Sequence, residues 1–318
     1  MGIRISALSQ TTIATQLCGW AGEELAREAF NLMGLDKSLP KFKIYGSAGG
    51  DYHGQRRMLY EINRKVLGQD TVNYPQEVGD CTSFGCKNAM EYLQCSQILT
   101  GQAEEFKPIY PPFIYGAERK WVGNGQLGYQ DGGYGCWVQE VVKTYGVLVA
   151  NLQDVPQYSG SIARSWGRNG PPSEFKQVAA KHLVKTTAQC NSAADAANAI
   201  LNGYPVPICS DQGFTMTARS DGFNAPSGSW PHCMCLIGFQ DHPTYGLYFI
   251  ILNSWGDVHG QLQDFDTKEN LPLGVLRVKE NAIDSMIKQG DSFIYSNFDG
   301  FPGQVDVLDK AMFDLVGN

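Results

Sequence analysis

The feature that most limits what this chain can fold into is the order of its hydrophobic periods. Up to about residue 150 the apolar residues recur at helical spacing, and beyond about residue 180 they gather into short aliphatic runs. Leu25, Ala29, Leu32 and Met33 share one face of residues 20–34, with Glu23 and Glu24 in the first turn and Gly34 as a stop. Residues 51–67 read as a second helix through Leu59, Ile62 and Val66, with KFKIY (41–45) a short strand before it. A long helix is expected from Cys81 to about Leu99. PIYPPFIYGAER (108–119) is Pro-rich before it turns helical, and QDGGYGCW (130–137) is a glycine turn opening the helix WVQEVVKTYG. Residues 151–172, rich in Gly, Ser and Pro, read as loop. Two helices, PSEFKQVAAKHL and SAADAANAILNG, are set among the runs LVKTTAQC, PVPICS, HCMCLIGFQ, LYFIILN and GVLRVK. Aliphatic runs with short polar breaks fit a buried antiparallel sheet. Helices followed by strands predict an α+β fold with two segregated halves.

Composition removes several function classes. A chain of 318 residues, 43% hydrophobic and 18% charged, can bury the core of one large domain or two smaller ones. The net charge is −7, and Lys and Arg are scattered, so an electrostatic grip on nucleic acid is not expected. No apolar run approaches the roughly 20 residues that span a bilayer. The N-terminus lacks the apolar core of a signal peptide, which predicts a cytoplasmic protein, or one packaged by a partner assembly such as a virion. Gly2 and Ser6 match the short, common myristoylation pattern. Nine cysteines without a CxxC pair suit buried thiols in a reducing compartment. In a strand, Cys233 and Cys235 share one face and His232 points to the other, so no shared metal ion, and no cofactor, is expected.

The stretch VGDCTSFG carries the sharper signal. Cys81 stands where a loop becomes a helix, and unpaired N–H groups at a helix N-terminus favour a thiolate. His232 begins the strand HCMCLIGF, and Asn253 ends LYFIILN ahead of Ser-Trp-Gly. A hairpin of these strands brings imidazole and amide together. With the thiol, they supply the parts of a Cys–His–Asn site. Gln76 and the backbone N–H of Cys81 are the candidate donors to an oxyanion. Cys86, Tyr110, Phe113 and Tyr115 read as packing; His53, His182, His242 and His259 read as surface or loop residues without a role.

These blocks resemble the papain-like cysteine peptidase family, in order: QEVGDCTSFG for the nucleophile, DGGYGCW for the cleft turn, PHCMCLIGFQD for the histidine strand, and YFIILNSWGDVHG for the asparagine, with GVLRV after it. The resemblance covers roughly residues 65–285. It implies a helical subdomain and an antiparallel sheet or barrel subdomain with the active-site cleft between them. It further implies Cys81 as nucleophile, His232 as base and acid, Asn253 as its orienting partner, Gln76 as oxyanion donor and Trp255 as a shield over the Asn–His bond. Gly132 and Gly133 would offer main-chain groups to an extended polypeptide substrate. The departures point to a divergent bacterial or phage branch. Gln76 to Cys81 is one residue short, both halves of a familiar disulfide are missing, Thr82 replaces an aromatic, and His259 stands where a second tryptophan is common.

The expected organisation is an N-terminal helical extension over 1–64, a helical subdomain with the nucleophile over 65–165, a strand-rich subdomain with His232 and Asn253 over 166–285, and a tail over 286–318. The extension reads as an added structural layer, with an inhibitory pro-segment as the alternative. The expected activity is peptide-bond hydrolysis by a thiol endopeptidase. The alternatives are an acyl transfer or amidase reaction on the same fold, as on peptidoglycan, and a catalytically silent scaffold or virion component.

Overall fold

The computed structural model describes residues 17–39, 51–101, 105–184 and 186–296. The strand expected at 41–45 and the Gly2 pattern lie outside them. In chain order the elements are α1 (Glu23–Leu32), α2 (Leu35–Ser38), β1 (Arg56–Met58), α3 (Leu59–Leu67), α4 (Cys81–Leu99), α5 (Pro111–Ala117), α6 (Gly135–Thr144), α7 (Gly160–Asn169), α8 (Phe175–Ala179), β2 (Thr186–Gln189), α9 (Ala193–Leu201), β3 (Val206–Phe214), β4 (Pro226–His242), β5 (Gly246–Leu252), β6 (Val275–Lys279), α10 (Glu280–Ile287) and β7 (Phe293–Ser296). A π-helical turn over Glu118–Val122 continues α5. The fold is α+β, with helices first and an antiparallel sheet after them, as the hydrophobic periods require.

The main sheet runs β1-β4-β5-β6, and β3 also pairs with β4. Seventeen residues make β4 long enough to hold two partners on one edge. Its first part pairs with β3, Ser210 opposite His232, and its last part with β1, Met58 opposite Gly238. The absence of a side chain at Gly238 admits β1, since a Cβ there would lie 2.5 Å from the Met58 sulphur. Helix α4 crosses this sheet and is buried on nearly every face, its polar side chains included. Its one buried ion pair is compensated. Lys87 meets Glu91 at 2.8 Å and donates to the Val72 carbonyl, while Glu91 accepts from the Ile109 N–H. Gly85 lets helix and sheet touch, because a Cβ there would stand 2.6 Å from Cys233 Sγ. The two halves share one continuous hydrophobic core.

Four expectations are corrected. Residues 51–67 are not one helix, since 56–58 add a strand to β4. Residues 151–172 are not all loop. Ser159 caps α7 by accepting from the Ile162 N–H, and the small residues of α7 are packing contacts, Gly167 sitting against Tyr115. His232 does not begin its strand but lies inside β4. The tail does not start at 286: Ile287 ends α10 buried, and β7 pairs with β2 with Phe293 and Tyr295 buried. Residues from 297 on lie outside the described ones.

Candidate active site

Cys81 is the first residue of α4, with Asp80 before it. The Asp80 carbonyl accepts the N–H groups of Ser83 and Phe84, which starts the helix. Its carboxyl does not cap. It accepts from the Tyr158 hydroxyl at 3.1 Å and, being fully buried, is pushed well above the usual carboxylate range. The next residue, Thr82, donates to Glu118 at 2.7 Å, which places a buried carboxyl beneath the glycine turn. Burial also pushes Glu118 well up.

Strand pairing sets the next two groups. Cys235 lies opposite Leu252, so Asn253 leaves β5 beside the middle of β4. His232 Nε2 and Asn253 Oδ1 are 2.8 Å apart, with the ring 0% and the amide 0% exposed. Asn253 Oδ1 also accepts the Ser254 N–H at 2.7 Å. The Trp255 ring lies over His232, centroids 4.6 Å apart, and Trp230 packs on Trp255. His232 Nδ1 is buried and has no hydrogen-bond partner among the described residues. The residue after His232 reaches the thiol, the backbone N–H groups of Cys233 and Gly19 both bonding to Cys81.

Gln76 is fixed from two sides. Its N–H donates to the Ser254 carbonyl at 2.9 Å, and its Oε1 accepts from the Ser254 hydroxyl. Nε2 donates to the carbonyls of Val78 at 2.8 Å and Leu17 at 2.6 Å. Leu17 belongs to an N-terminal strap over residues 17–21. The Gly133 N–H donates to the Gly19 carbonyl at 2.8 Å, the Ala21 N–H to the Gly133 carbonyl at 3.2 Å, and the Trp20 N–H to the Pro231 carbonyl at 3.0 Å. Trp20 pairs with Gly133 as a parallel bridge. Its indole N–H donates to Asp291 at 2.8 Å, the carboxylate that also accepts the Gly135 and Cys136 N–H groups at the start of α6. The strap is held from both halves of the molecule.

The turn glycines divide their work. Gly133 meets the strap through both backbone groups. Gly132 does not offer its own, as expected of it, because its N–H donates to the Tyr115 hydroxyl and its carbonyl accepts from Arg119. It is glycine for space: its φ is 122°, and a Cβ would lie 2.6 Å from the Gly19 carbonyl oxygen.

The thiolate expected at the helix N-terminus is not the state of this form. Cys81 is 0% exposed and its thiol is pushed well above 9.0, by burial first and by the neighbouring Cys233 and Cys18 second. The two backbone N–H groups pull the other way and lose, because desolvation penalises the charged form. Burial also lowers His232 to about 4, with the Asn253 bond opposing the shift. Near neutral pH the pair is therefore a thiol and a neutral imidazole.

Sequence reading missed four contributors. His259 is 1% exposed and bonds to Asn253 at 2.8 Å, although its place in a polar loop suggested the surface. Ser254, inside the Asn-Ser-Trp-Gly block, holds Gln76. Glu118 and Asp291 reach the site from distant helix and strand ends, and no local pattern marks them. Among the described residues no group of three His, Cys, Asp or Glu side chains is disposed to hold a metal ion, and no helix is long and apolar enough to cross a membrane.

No protein-family model and no curated protein sequence matches the chain. Solved structures do. Procathepsin B S9 from Trypanosoma congolense superposes with a TM-score of 0.59 at 10% identity, covering 91% of this chain and 89% of that one. Xylellain, a cysteine protease from Xylella fastidiosa, gives 0.55 at 15% identity over 82% of this chain and 92% of its own. The ragweed pollen cysteine protease Amb a 11 in its proform gives 0.55 at 13% identity, covering 92% of this chain and 79% of that one. A helical half carrying Cys81, a sheet half carrying His232 and Asn253, and these neighbours give one conclusion: the chain has the papain-like cysteine protease fold.

Proposed function

We propose that this protein is a cysteine peptidase held in a latent form by its own residues 17–21. The observation that carries the reading is the His232–Asn253 hydrogen bond, with His232 Nδ1 left bare one residue from the N–H that touches Cys81. In the reaction, Nδ1 takes the Cys81 proton and the thiolate attacks the scissile carbonyl carbon. The carbonyl oxygen becomes an oxyanion, met by Gln76 Nε2 and the Cys81 N–H. His232 returns the proton to the leaving amine, and a thioester remains on Cys81. Water, deprotonated by the same ring, then releases the acid and frees the thiol. Asn253 keeps the imidazole in plane without adding charge, and Trp255 keeps water from their bond.

The strap supports latency. A main-chain carbonyl already occupies Gln76 Nε2, and Gly133 already has a pairing partner, so an external polypeptide meets both positions filled. The occupied cleft also accounts for the suppressed thiolate. The test is covalent trapping with a thiol-reactive epoxide, followed by peptide mapping, on the full chain before and after strap displacement by Gly19→Ala. Labelling at Cys81 with turnover of a peptide library supports the peptidase. Labelling without peptide turnover favours an acyl transferase or amidase, and absence of labelling in the folded, displaced protein rejects the enzyme.

A further inference from the structure

The His232 imidazole is the first of a chain of four groups. His232 Nε2 meets Asn253 Oδ1 at 2.8 Å, Asn253 Nδ2 meets His259 Nε2 at 2.8 Å, and His259 Nδ1 meets the Met216 carbonyl at 2.9 Å. His232, Asn253 and His259 are each 1% exposed or less, so water cannot substitute for a missing partner.

Both ends of the chain have a fixed sense. A carbonyl oxygen only accepts, so His259 Nδ1 carries the hydrogen. In a neutral ring the other nitrogen is then an acceptor. His259 Nε2 therefore receives the Asn253 Nδ2–H. That orientation turns Oδ1 toward His232, which must answer with Nε2–H. A neutral His232 protonated at Nε2 has its lone pair on Nδ1, the atom without a hydrogen-bond partner among the described residues. The opposite end gives the same answer independently, because the Ser254 N–H can only donate and its acceptor is Asn253 Oδ1. The directions cannot be reversed at one link without leaving two donors or two acceptors face to face in a dry interior.

We propose that His259 is a positioning residue that, together with the Ser254 N–H, holds the tautomer of His232, passing the direction fixed by the Met216 carbonyl through the Asn253 amide to the nitrogen that serves the proposed nucleophile. The proposal rests on the peptidase reading for its consequence in turnover, but not for the tautomer itself. An apolar ring at position 259 would shield Asn253 and leave Nδ2 without an acceptor. Histidine shields and accepts at once. Its neighbours fit this use: Trp255 and Trp230 lie 6.1 and 6.3 Å away by ring centroid, and the titratable group in the same chain is His232.

Imidazole nitrogen shifts of the ¹⁵N-labelled full chain test the assignment directly. The two rings should show opposite tautomers, Nε2–H for His232 and Nδ1–H for His259. His259→Phe leaves the Ser254 N–H as the remaining anchor of the Asn253 amide, so it should admit a minor Nδ1–H population of His232 and, in the Gly19→Ala background, lower kcat by about 3-fold or more per titrated Cys81 with KM nearly unchanged, since a wrongly protonated base costs turnover rather than binding. His259→Gln, which restores an acceptor, should recover most of both. Matching tautomers in the wild-type protein overturn the proposal even where His259→Phe fails to fold. An unchanged His232 spectrum in folded His259→Phe also overturns it. A protein that never hydrolyses peptides but shows the predicted spectra retains the positioning role and loses only the peptidase reading.

Discussion

The carbonyl oxygen of Leu17 rests 2.6 Å from Gln76 Nε2, so the amide proposed to meet a developing oxyanion already holds a main-chain carbonyl of the same chain. Two residues on, the Gly19 N–H bonds to the Cys81 thiol. The strap thus covers the proposed donor and the proposed nucleophile together, and its grip on each has separable consequences.

Gly19 is the strap's closest approach. A Cβ there would stand 1.9 Å from the Gly79 carbonyl oxygen and 2.8 Å from Gly79 Cα, both backbone atoms that cannot swing aside. Gly19→Ala should expel the strap, withdrawing Leu17 and Trp20 from the edge of the core. Alkylation of Cys81 by iodoacetamide, followed by peptide mass mapping, should then be faster by at least 10-fold. An unchanged rate with unchanged Tm would show that the strap does not limit access.

Gln76→Ala should lower kcat by roughly 10²–10³ in the Gly19→Ala background, the usual cost of one oxyanion donor. In the otherwise wild-type chain the same substitution removes the bond to Leu17 and should speed Cys81 labelling. Loss of turnover and gain of labelling from one side chain is the signature to look for. A rise in KM alone would assign Gln76 to substrate binding instead.

How much of this was legible in the sequence follows from the range of each interaction. The α4 and β4–β5 elements were readable because their burial repeats within the segment. His232 and Asn253 were readable because strand pairing brings them together. Residues 151–172 were misread because Gly160 and Gly167 are small for contact with Glu77, Val78 and Tyr115, partners far away in sequence. His259 was passed over because its burial depends on the loop returning over Asn253. The thiol's state was misjudged because it depends on burial by the whole fold, with Cys233 and Cys18, both far from Cys81 in sequence, adding to it.

Gly133 faces the strap with its backbone and Glu118 with its empty side. A Cβ would lie 2.3 Å from Glu118 Oε2 and 2.6 Å from Cδ, and Glu118 is itself held by Thr82. Gly133→Ala should destabilise the fold by about 1–3 kcal/mol through overpacking, read from the urea midpoint. A midpoint equal to wild type would mean that Glu118 swings clear at no cost.

His259 gives a pH prediction with a definite sign. Burial holds its folded pKa down at about 4, against 6.5 for an ordinary ring. As pH falls from about 6.5 toward 4, the unfolded chain takes up this proton and the folded chain does not, so stability is lost on acidification. The loss attributable to this ring is about 3 kcal/mol. His259→Gln has no such group, while the other titrating residues are common to both proteins. Between pH 7 and pH 4 the wild-type unfolding free energy should therefore fall by about that much more than the variant's. Parallel curves would place His259 in contact with water.

The Cys81 thiol should titrate differently once the strap is gone. Burial is the largest cause of its raised pKa, and Cys18, a strap residue, adds to it. Gly19→Ala removes the strap's share of both. The start of α4 and the Cys233 N–H remain, and each favours the thiolate. The midpoint of the alkylation rate against pH should therefore lie above 9 in the wild-type chain and fall below it in the variant. Adding Cys81→Ser to the variant must abolish that phase, which assigns it to this sulphur among nine. A midpoint that stays above 9 with the strap displaced would mean that the core, and not residues 17–21, keeps the sulphur protonated.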